Sequence, residues 1–248
     1  MTHRRIVIGD VHGHYEALLV LLDAIAPNAS DAIYFLGDLI DRGPHSAQVV
    51  DLVRKYHYRC LLGNHEQMLL EVLGGKMATS EIFQDWLYCG GYQTLLSYNY
   101  KVPQNHIEWM KTLPLYLDLG DVWLVHAGVH PHFPIEDQSV DQFCWIRDEF
   151  HCMTEPYFPN KLIITGHTIT FTFPGIEPGN LALGAGWLGI DTGVYHPYSG
   201  WLTALDIDEQ LVYQVQTKTR ELRKIPLPEI VTRVEPEMVH AKRMKAQI

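Results

Sequence analysis

Cysteine is scarce in this chain of 248 residues and follows no recognisable metal-binding or redox spacing. The four cysteines, Cys60, Cys89, Cys144 and Cys152, contain no C-x-x-C pair. The sequence therefore gives no indication of a zinc site built from cysteines, a thioredoxin-like motif or a disulfide framework. We expect four unpaired thiols in a reducing compartment.

Long hydrophobic runs are also missing. No stretch approaches the roughly 18 consecutive apolar residues that a membrane helix needs. The N-terminal residues Met1–Arg5 lead into Ile6–Ile8 without the small-residue cleavage site of a secretory signal. We therefore expect a cytoplasmic protein with no membrane partner. An apolar content of 47% is ordinary for a globular protein, and the length suits one large α/β domain or at most two small ones.

Positive charge is in deficit, with a net charge of −10. Residues 219–248 hold seven Lys/Arg and four Asp/Glu, so residues 1–218 carry a net charge of −13. Such a surface repels a nucleic-acid backbone, and we expect no nucleic-acid partner. A small phosphate compound can still bind where cations are held locally. Composition leaves the oligomeric state open.

Short apolar runs alternate with helical patterns in the first part of the chain. Strands are predicted at 6–8, 33–36 and 60–62, with amphipathic helices between them. This βαβαβ order predicts an α/β fold with a parallel or mixed sheet. Residues 65–112 are predicted to be mainly helical. Later strands are predicted at 122–125, 162–165, 188–190, 201–205 and 211–215.

The predicted strands end in glycine followed by a side chain that can bind a metal ion. This pattern occurs at Gly9-Asp10-Val11-His12, Gly37-Asp38 and Gly63-Asn64-His65 and returns at two later strand ends. The carboxyl ends of parallel strands converge on one crevice. Taken singly, each residue is more often a turn residue or a core histidine, but five such strand ends in one chain predict a metal site. The six predicted ligands are Asp10, His12, Asp38, Asn64, His126 and His167.

Mixed oxygen and imidazole ligands suit Mn²⁺, Fe or Zn²⁺ better than Mg²⁺ or Ca²⁺. One carboxylate can bridge two ions roughly 3.5–4 Å apart, which then bind both ends of an in-line displacement. A water bridging two such ions becomes hydroxide near neutral pH and can attack a phosphate ester. We therefore expect two divalent ions as cofactors, with Mn²⁺ as the first choice.

Three motifs resemble the signatures of the metallophosphoesterases. They are Gly9-Asp10-Val11-His12-Gly13, Gly37-Asp38-Leu39-Ile40-Asp41-Arg42-Gly43 and Gly63-Asn64-His65-Glu66, and the later His126-Ala127-Gly128 and Gly166-His167 match as well. Within that superfamily the chain is similar to bacterial serine/threonine phosphatases of the phosphoprotein-phosphatase branch, which are related to the symmetric dinucleoside tetraphosphatases. The resemblance spans residues 5–207. It implies a calcineurin-like fold, a central β-sandwich flanked by helices. We expect a catalytic domain over 1–218 and an appendage over 219–248, whose three prolines and scattered charge suit an extended or helical segment or a flexible end.

The resemblance also implies a role for each motif residue. Asp10, His12 and Asp38 would bind the first metal ion. Asp38 would bridge to the second ion, which Asn64, His126 and His167 would complete. His65 would be the general acid, with Asp41 bonded to its ring. Arg42 and Arg147 would bind the phosphate oxygens, although Arg147 also has the alternative of a surface ion pair with Asp148 or Glu149.

Three functions remain open at this point. The first is a phosphatase acting on phosphoserine or phosphothreonine, with phosphotyrosine as a further substrate. The second is a symmetric bis(5′-nucleosyl)-tetraphosphatase, a group that often lacks the aspartate found here as Asp41 and often has Asp at the position of Glu66. Those two residues favour the first function. The third, an inactive binding scaffold, is disfavoured because the ligands and the acid are all present.

Substrate selection is predicted to come from residues 66–112 and 129–160, which we expect to form the walls of the site. Four aromatic residues of the second half could stack on a nucleobase, but we expect them to pack internally. They are Tyr157, Phe158, Phe171 and Phe173.

Overall fold

The computed structural model describes residues 3–74 and 81–239, which form two six-stranded sheets with helices on their outer faces. The strands are β1 (Arg5–Ile8), β2 (Ala32–Phe35), β3 (Arg59–Cys60), β4 (Tyr116–Asp118), β5 (Val122–Val125), β6 (Leu162–Thr165), β7 (Leu181–Leu183), β8 (Trp187–Gly189), β9 (Trp201–Asp206), β10 (Leu211–Gln216), β11 (Leu222–Pro226) and β12 (Val231–Arg233). The α-helices are α1 (Tyr15–Ile25), α2 (Ser46–Lys55), α3 (Asn64–Gly74), α4 (Glu81–Trp86), α5 (Tyr92–Ser97), α6 (Gln104–Met110), α7 (Val140–Trp145), α8 (Asp148–His151) and α9 (Leu227–Ile230). A kinked turn, Leu87–Gly91, joins α4 to α5, and the kink is at Gly90, whose backbone is not helical.

The sheet topology brings the carboxyl ends of five strands together. The first sheet has the order β11-β10-β9-β1-β2-β3, in which β1, β2 and β3 are parallel. The second sheet has the order β12-β7-β8-β6-β5-β4, in which β5, β6 and β8 are parallel. The motif residues follow β1, β2, β3, β5 and β6, so each lies just beyond the carboxyl end of a parallel strand.

Three buried clusters hold the layers together. The cluster between the sheets contains Val7 and Leu36 from the first sheet side and Leu124 and Ile164 from the second. A second cluster packs α1 and α2 against the first sheet, and a third packs α7 and α8 against the second. Burying one leucine or isoleucine side chain contributes about 1.5–3 kcal/mol, so these interfaces fix the strand ends relative to each other.

The β-sandwich expected from the resemblance is confirmed. All eight strands predicted from the sequence are present, with ends displaced by one or two residues, whereas β4, β7, β11 and β12 were not predicted. In β11, an edge strand, exposed positions alternate with partly buried ones and none is buried, which leaves little hydrophobic signal.

Two strands of the final segment, within its described residues 219–239, belong to the two sheets. Strand β11 pairs with β10 in the first sheet, and β12 pairs with β7 in the second. The domain boundary after residue 218 stays a prediction, but these two strands beyond it complete both sheets. Residues 75–80 of the predicted helical stretch and 240–248 of the predicted tail lie outside the described residues. Across the described part of the chain, no helix has both the length and the apolar character needed to cross a membrane.

Candidate active site

The ligand loops have an unusual backbone conformation. His12, Asp38 and His167 adopt positive φ values of 46°, 49° and 63°. Non-glycine residues adopt this left-handed region rarely, and such residues cluster at functional sites where the surrounding structure holds them. Three of the six predicted ligands therefore lie in strained turns directly after strands.

His126 directs a lone pair toward two oxygen atoms. Its Nδ1 lies 2.8 Å from the carbonyl oxygen of Leu36, which can only accept, so Nδ1 carries the proton. The unprotonated Nε2 then faces Asn64 Oδ1 at 2.9 Å and Asp38 Oδ1 at 3.4 Å. Burial lowers the pKa of His126, which favours this neutral form.

His167 repeats the arrangement from the second sheet. Its Nε2 lies 3.3 Å from the carbonyl oxygen of Trp145, so Nδ1 has the lone pair and faces Asn64 Oδ1 at 2.9 Å. Burial, followed by the charge of Arg147, lowers the pKa of His167 well below its ordinary value. Four acceptors, from Asp38, Asn64, His126 and His167, thus converge without a proton between them. A divalent cation fits this arrangement because it is the partner that all four require.

His12 and Asp10 form the other half of the site. His12 Nδ1 donates to the carbonyl of Ile40 at 2.9 Å, which leaves the Nε2 lone pair 3.7 Å from Asp38 Oδ2 and 4.0 Å from Asp10 Oδ2. Burial raises the pKa of Asp10 well above its ordinary value, and the neighbouring negative charges of Asp191 and Asp38 add to the shift. A cation here would relieve that repulsion.

Asp38 connects the two halves. Its Oδ2 faces His12 and His65, and its Oδ1 faces His126. Two groups of buried side chains could each hold an ion, and both include Asp38. They are His12–Asp38–His65, which has His65 where the resemblance implies Asp10, and Asp38–His126–His167. The donor set therefore fits two ions that share one carboxylate, as the resemblance implies.

His65 and Asp41 form a hydrogen-bonded pair beside the ligands. His65 Nδ1 donates to Asp41 Oδ2 at 2.6 Å, and both side chains are buried. Burial acts to lower the pKa of His65, but the charge of Asp38 and the bond to Asp41 outweigh it and raise the pKa. The bond to Asp41 keeps a proton on Nδ1 and fixes the ring, while Nε2 accepts from Arg42 Nη2. A general acid acting from Nε2 would need a second proton there, which the raised pKa favours once Arg42 turns away.

Two arginines border the cavity above these residues. The Arg42 guanidinium lies 4.0 Å from the ring centre of Tyr195, and its Nη2 lies 3.2 Å from His65 Nε2. Arg147 Nη1 donates to Thr168 Oγ1 at 2.9 Å and to the carbonyl of His167 at 3.3 Å. Arg147 is thus hydrogen-bonded to the turn that carries the predicted ligand His167. The cavity between the arginines has a volume of about 160 Å³, which suits a phosphate group with its ions.

In the sequence, Glu66 served only to distinguish two substrate classes. Its hydrogen bonds to the ligand loops were not predicted. Its buried carboxylate accepts four backbone N–H groups. Oε1 accepts from Leu39 and Ile40 at 2.8 and 3.3 Å, and Oε2 accepts from Asp38 and Gly63 at 2.9 and 3.1 Å. Burial and the charge of Asp38 raise the pKa of Glu66 to about 7, against the effect of these bonds. Glu66 thus holds together the two loops that carry Asp38 and Asn64.

The structure adds two side chains to the site that the motifs did not single out. Asp191 and Tyr195, from the turn after β8, line the cavity beside His12. Burial raises the pKa of Asp191 to about 6. The sequence signal was a polar Asp-Thr-Gly segment directly after an apolar strand, the same signal as at the ligand motifs.

Three of the four aromatic residues considered as base-stacking candidates pack against other parts of the protein. The fourth, Phe171, packs on His196 with ring centres 4.8 Å apart and lies between the cavity residues Ile169 and Thr172. Phe173 is buried, Phe158 packs on Trp123 with ring centres 5.4 Å apart, and Tyr157 donates to the carbonyl of Phe133. The expectation that these three pack internally is confirmed.

The sequence matches the family model of the calcineurin-like phosphoesterases over residues 3–183. The chain belongs to the calcineurin-like phosphoesterase family. Proteins named symmetrical bis(5′-nucleosyl)-tetraphosphatase are similar to this phosphoesterase over about half of its length. One from Erwinia tasmaniensis is 32% identical over 134 residues, which cover 52% of this chain and 46% of that protein. One from Methylococcus capsulatus is 34% identical over 134 residues, with 52% and 44% covered. The phosphoesterase thus spans about half the length of these relatives.

Solved structures share the fold over most of the chain. A protein provisionally described as a diadenosine tetraphosphatase superposes with a TM-score of 0.63 at 22% identity, covering 91% of this chain and 94% of that one. A protein serine/threonine phosphatase from Saccharomyces cerevisiae superposes with a TM-score of 0.54 at 16% identity, covering 90% and 79%. The predicted phosphoesterase hydrolase is confirmed. Its assignment as a protein phosphatase is not, and the named relatives favour the second function left open by the sequence.

Proposed function

We propose that this phosphoesterase hydrolyses a symmetric dinucleoside tetraphosphate to two nucleoside diphosphates. The observation that carries the proposal is the similarity, at 32% and 34% identity, to proteins named for that reaction. In the reaction a central P–O–P bond breaks, the water oxygen joins one phosphorus, and a nucleoside diphosphate leaves. The match covers less than half of each relative. The similarity therefore supports the substrate assignment as a proposal.

The chain's own residues have separable parts in this reaction. When bound, two divalent ions would offset the phosphate charge and lower the pKa of a coordinated water. Arg42 and Arg147 both line the cavity and would bind the non-bridging phosphate oxygens through their planar guanidinium groups. His65 would give a proton from Nε2 to the leaving oxygen, while Asp41 fixes the ring through Nδ1. Arg42 Nη2, which lies 3.2 Å from that Nε2, would then turn to the phosphate.

A groove next to the cavity provides space for one nucleoside. It has a volume of about 360 Å³, shares Arg147 with the phosphate cavity and includes His130 and Trp145 in its wall. Trp145 is 38% exposed, and its Nε1 donates to Gln67 Oε1 at 2.6 Å, which fixes the indole plane. A fixed, partly exposed indole is a suitable stacking surface for a base.

A phosphoserine or phosphothreonine protein is the second candidate substrate. The specific observation that favours it is the Asp41–His65 pair. An alkoxide is a poor leaving group and needs a proton, whereas a nucleoside diphosphate leaves readily without one. A buried acid supported by Asp41 is therefore most useful for an ester of an alcohol.

A steady-state comparison with Mn²⁺ tests the substrate assignment. Diadenosine tetraphosphate and a phosphothreonine peptide would be offered separately, with ADP and inorganic phosphate measured as products. We expect kcat/KM to be at least about a hundredfold higher for the dinucleotide, with ADP as its nucleotide product. A preference for the phosphopeptide would replace the first candidate by the second.

Trp145→Ala locates the nucleoside. If the base stacks on this indole, KM for the dinucleotide should rise by about tenfold, in line with the 1–3 kcal/mol of a base–aromatic stack. Tyr116→Ala is a matched control, because Tyr116 is similarly exposed, at 39%, but stacks on Trp123 away from the groove. An equal change in both variants would argue against the nucleoside position.

A further inference from the structure

The helical segment 81–97 was predicted to form part of the wall that selects the substrate. In the structure it contacts Asp41 instead. Within the described residues, the phosphate cavity is lined by other parts of the chain. Two buried side chains of the segment, Trp86 from α4 and Thr94 from α5, instead reach Asp41 from behind. We propose that Trp86 and Thr94 are positioning residues that hold Asp41, and through it His65, in the geometry for proton transfer to the leaving group. The proposal rests on the general-acid part of the proposed function.

Asp41 is almost completely bonded by these contacts. Its Oδ2 accepts from His65 Nδ1 at 2.6 Å and from Trp86 Nε1 at 2.8 Å. Its Oδ1 accepts from Thr94 Oγ1 at 2.6 Å. Trp86 and Thr94 are each 0% exposed, so water does not compete for the carboxylate. Without the Trp86 and Thr94 donors, the Asp41 carboxylate would keep its bond to His65. It would then be free to rotate, and the His65 ring with it.

The backbone of Asp41 is supported by the same segment. The Asp41 N–H donates to Thr94 Oγ1 at 2.8 Å and to Ser46 Oγ at 3.1 Å. Asp41 and Arg42 have φ values of 70° and 67°, and two successive left-handed residues require such support. The N–H of Arg42 also donates to the carbonyl of Gly90 at 3.1 Å. One segment thus fixes the pair Asp41–Arg42 in both backbone and side chain.

Two glycines make this contact possible. Gly90, in the kinked turn Leu87–Gly91, has a φ of 107°. A Cβ there would lie 2.7 Å from Arg42 Cγ and 2.8 Å from the backbone nitrogen of Arg42. A Cβ on Gly91 would overlap the indole of Trp86. The sequence Trp86-x-x-x-Gly90-Gly91-x-x-Thr94 therefore encodes a kinked turn that passes directly behind the catalytic loop.

The test is the dependence of hydrolysis on the leaving group. Thr94→Val removes a donor at nearly constant volume. Trp86→Phe also removes a donor but leaves a small cavity, so its result is read together with that of Thr94→Val. If they act through His65, both should lower kcat on phenyl phosphate by about tenfold or more, since general acids contribute 10²–10⁴-fold, and should change kcat on dinitrophenyl phosphate by less than about threefold. Thr94→Ser, which keeps the hydroxyl, should restore the phenyl phosphate rate. Tyr88→Phe, at a side chain 95% exposed on the same turn, is the control.

A proton NMR measurement gives a readout independent of turnover. The His65 Nδ1–H bonded to Asp41 should give a far-downfield resonance, assigned by its loss in His65→Asn. We expect Trp86→Phe and Thr94→Val to shift or broaden it and Tyr88→Phe to leave it unchanged. An unmoved resonance in both donor variants would overturn the proposal.

The kinetic outcomes distinguish failure of the positioning role of Trp86 and Thr94 from failure of the acid role of His65. If His65→Asn shows the selective loss on phenyl phosphate but the donor variants lose equally on both esters, the positioning role is wrong and the acid assignment stands. If His65→Asn itself loses equally on both esters, the acid assignment fails, and the positioning role fails with it.

Discussion

Glu66→Gln is the substitution whose effect follows most directly from the geometry. Each carboxylate oxygen of Glu66 accepts two backbone N–H groups. An amide has one oxygen, so in either orientation its NH₂ group faces two N–H donors. Each buried donor left unsatisfied costs about 1–3 kcal/mol. We therefore expect the free energy of unfolding to fall by about 2–6 kcal/mol.

Urea unfolding of the metal-free protein measures this loss, with the free energy extrapolated from the midpoint and slope. Glu71→Gln is the matched control, because Glu71 lies exposed on the same helix and accepts a bond from Gln67 Nε2, one turn earlier, at 2.7 Å. Calorimetric titration with Mn²⁺ should also show weaker binding in Glu66→Gln, since the loop it releases carries Asp38. A loss below about 1 kcal/mol, equal to that of Glu71→Gln, would refute the reasoning.

Three further predictions address the acid, the buried histidines and the kink. His65→Asn should lower kcat on phenyl phosphate, whose leaving group needs a proton, by at least about a hundredfold while metal content, measured by elemental analysis, stays near two ions; unchanged turnover would contradict the acid assignment. Burial lowers the folded-state pKa of His151 from 6.5 to about 3, so the unfolded chain binds the extra proton between those values and stability falls as the pH drops below 6.5. His151→Phe should flatten that fall by up to about 1.4 kcal/mol per pH unit in urea titrations, and an unchanged slope would argue against a neutral His151. Gly90→Ala should cost about 1–3 kcal/mol, because alanine is strained at that φ and contacts Arg42, and a thermal shift within error of zero would count against the tight turn.

The positions of the six candidate ligands at strand ends could be predicted because their signal is local. Each follows a short apolar run, and all except His126 also follow a glycine. The parallel order of β1, β2 and β3 then brings separate strand ends together. Asp10, Asp38 and Asn64 illustrate this, since each could be placed from fewer than ten neighbouring residues. The sandwich came from the resemblance, because a βαβαβ pattern alone predicts one sheet.

The supporting contacts were not predictable in the same way. Trp86 and Thr94 lie 45 and 53 residues from Asp41 along the chain, and a tryptophan in a helical pattern ordinarily indicates core packing. Their contact with Asp41 depends on the kink at Gly90. The periodicity of apolar residues does not indicate the direction in which the chain bends there. Strand β11 was missed for a different reason, because an edge strand rich in charge has little hydrophobic pattern.

Anomalous diffraction from crystals grown with Mn²⁺ tests the central claim most directly. If the converging acceptors form a two-metal site, two anomalous peaks should appear on either side of Asp38. One should lie against Asp10 and His12, and the other against Asn64 and the two late histidines, His126 and His167. A single peak, or peaks that leave Asp38 without a metal contact, would contradict the account.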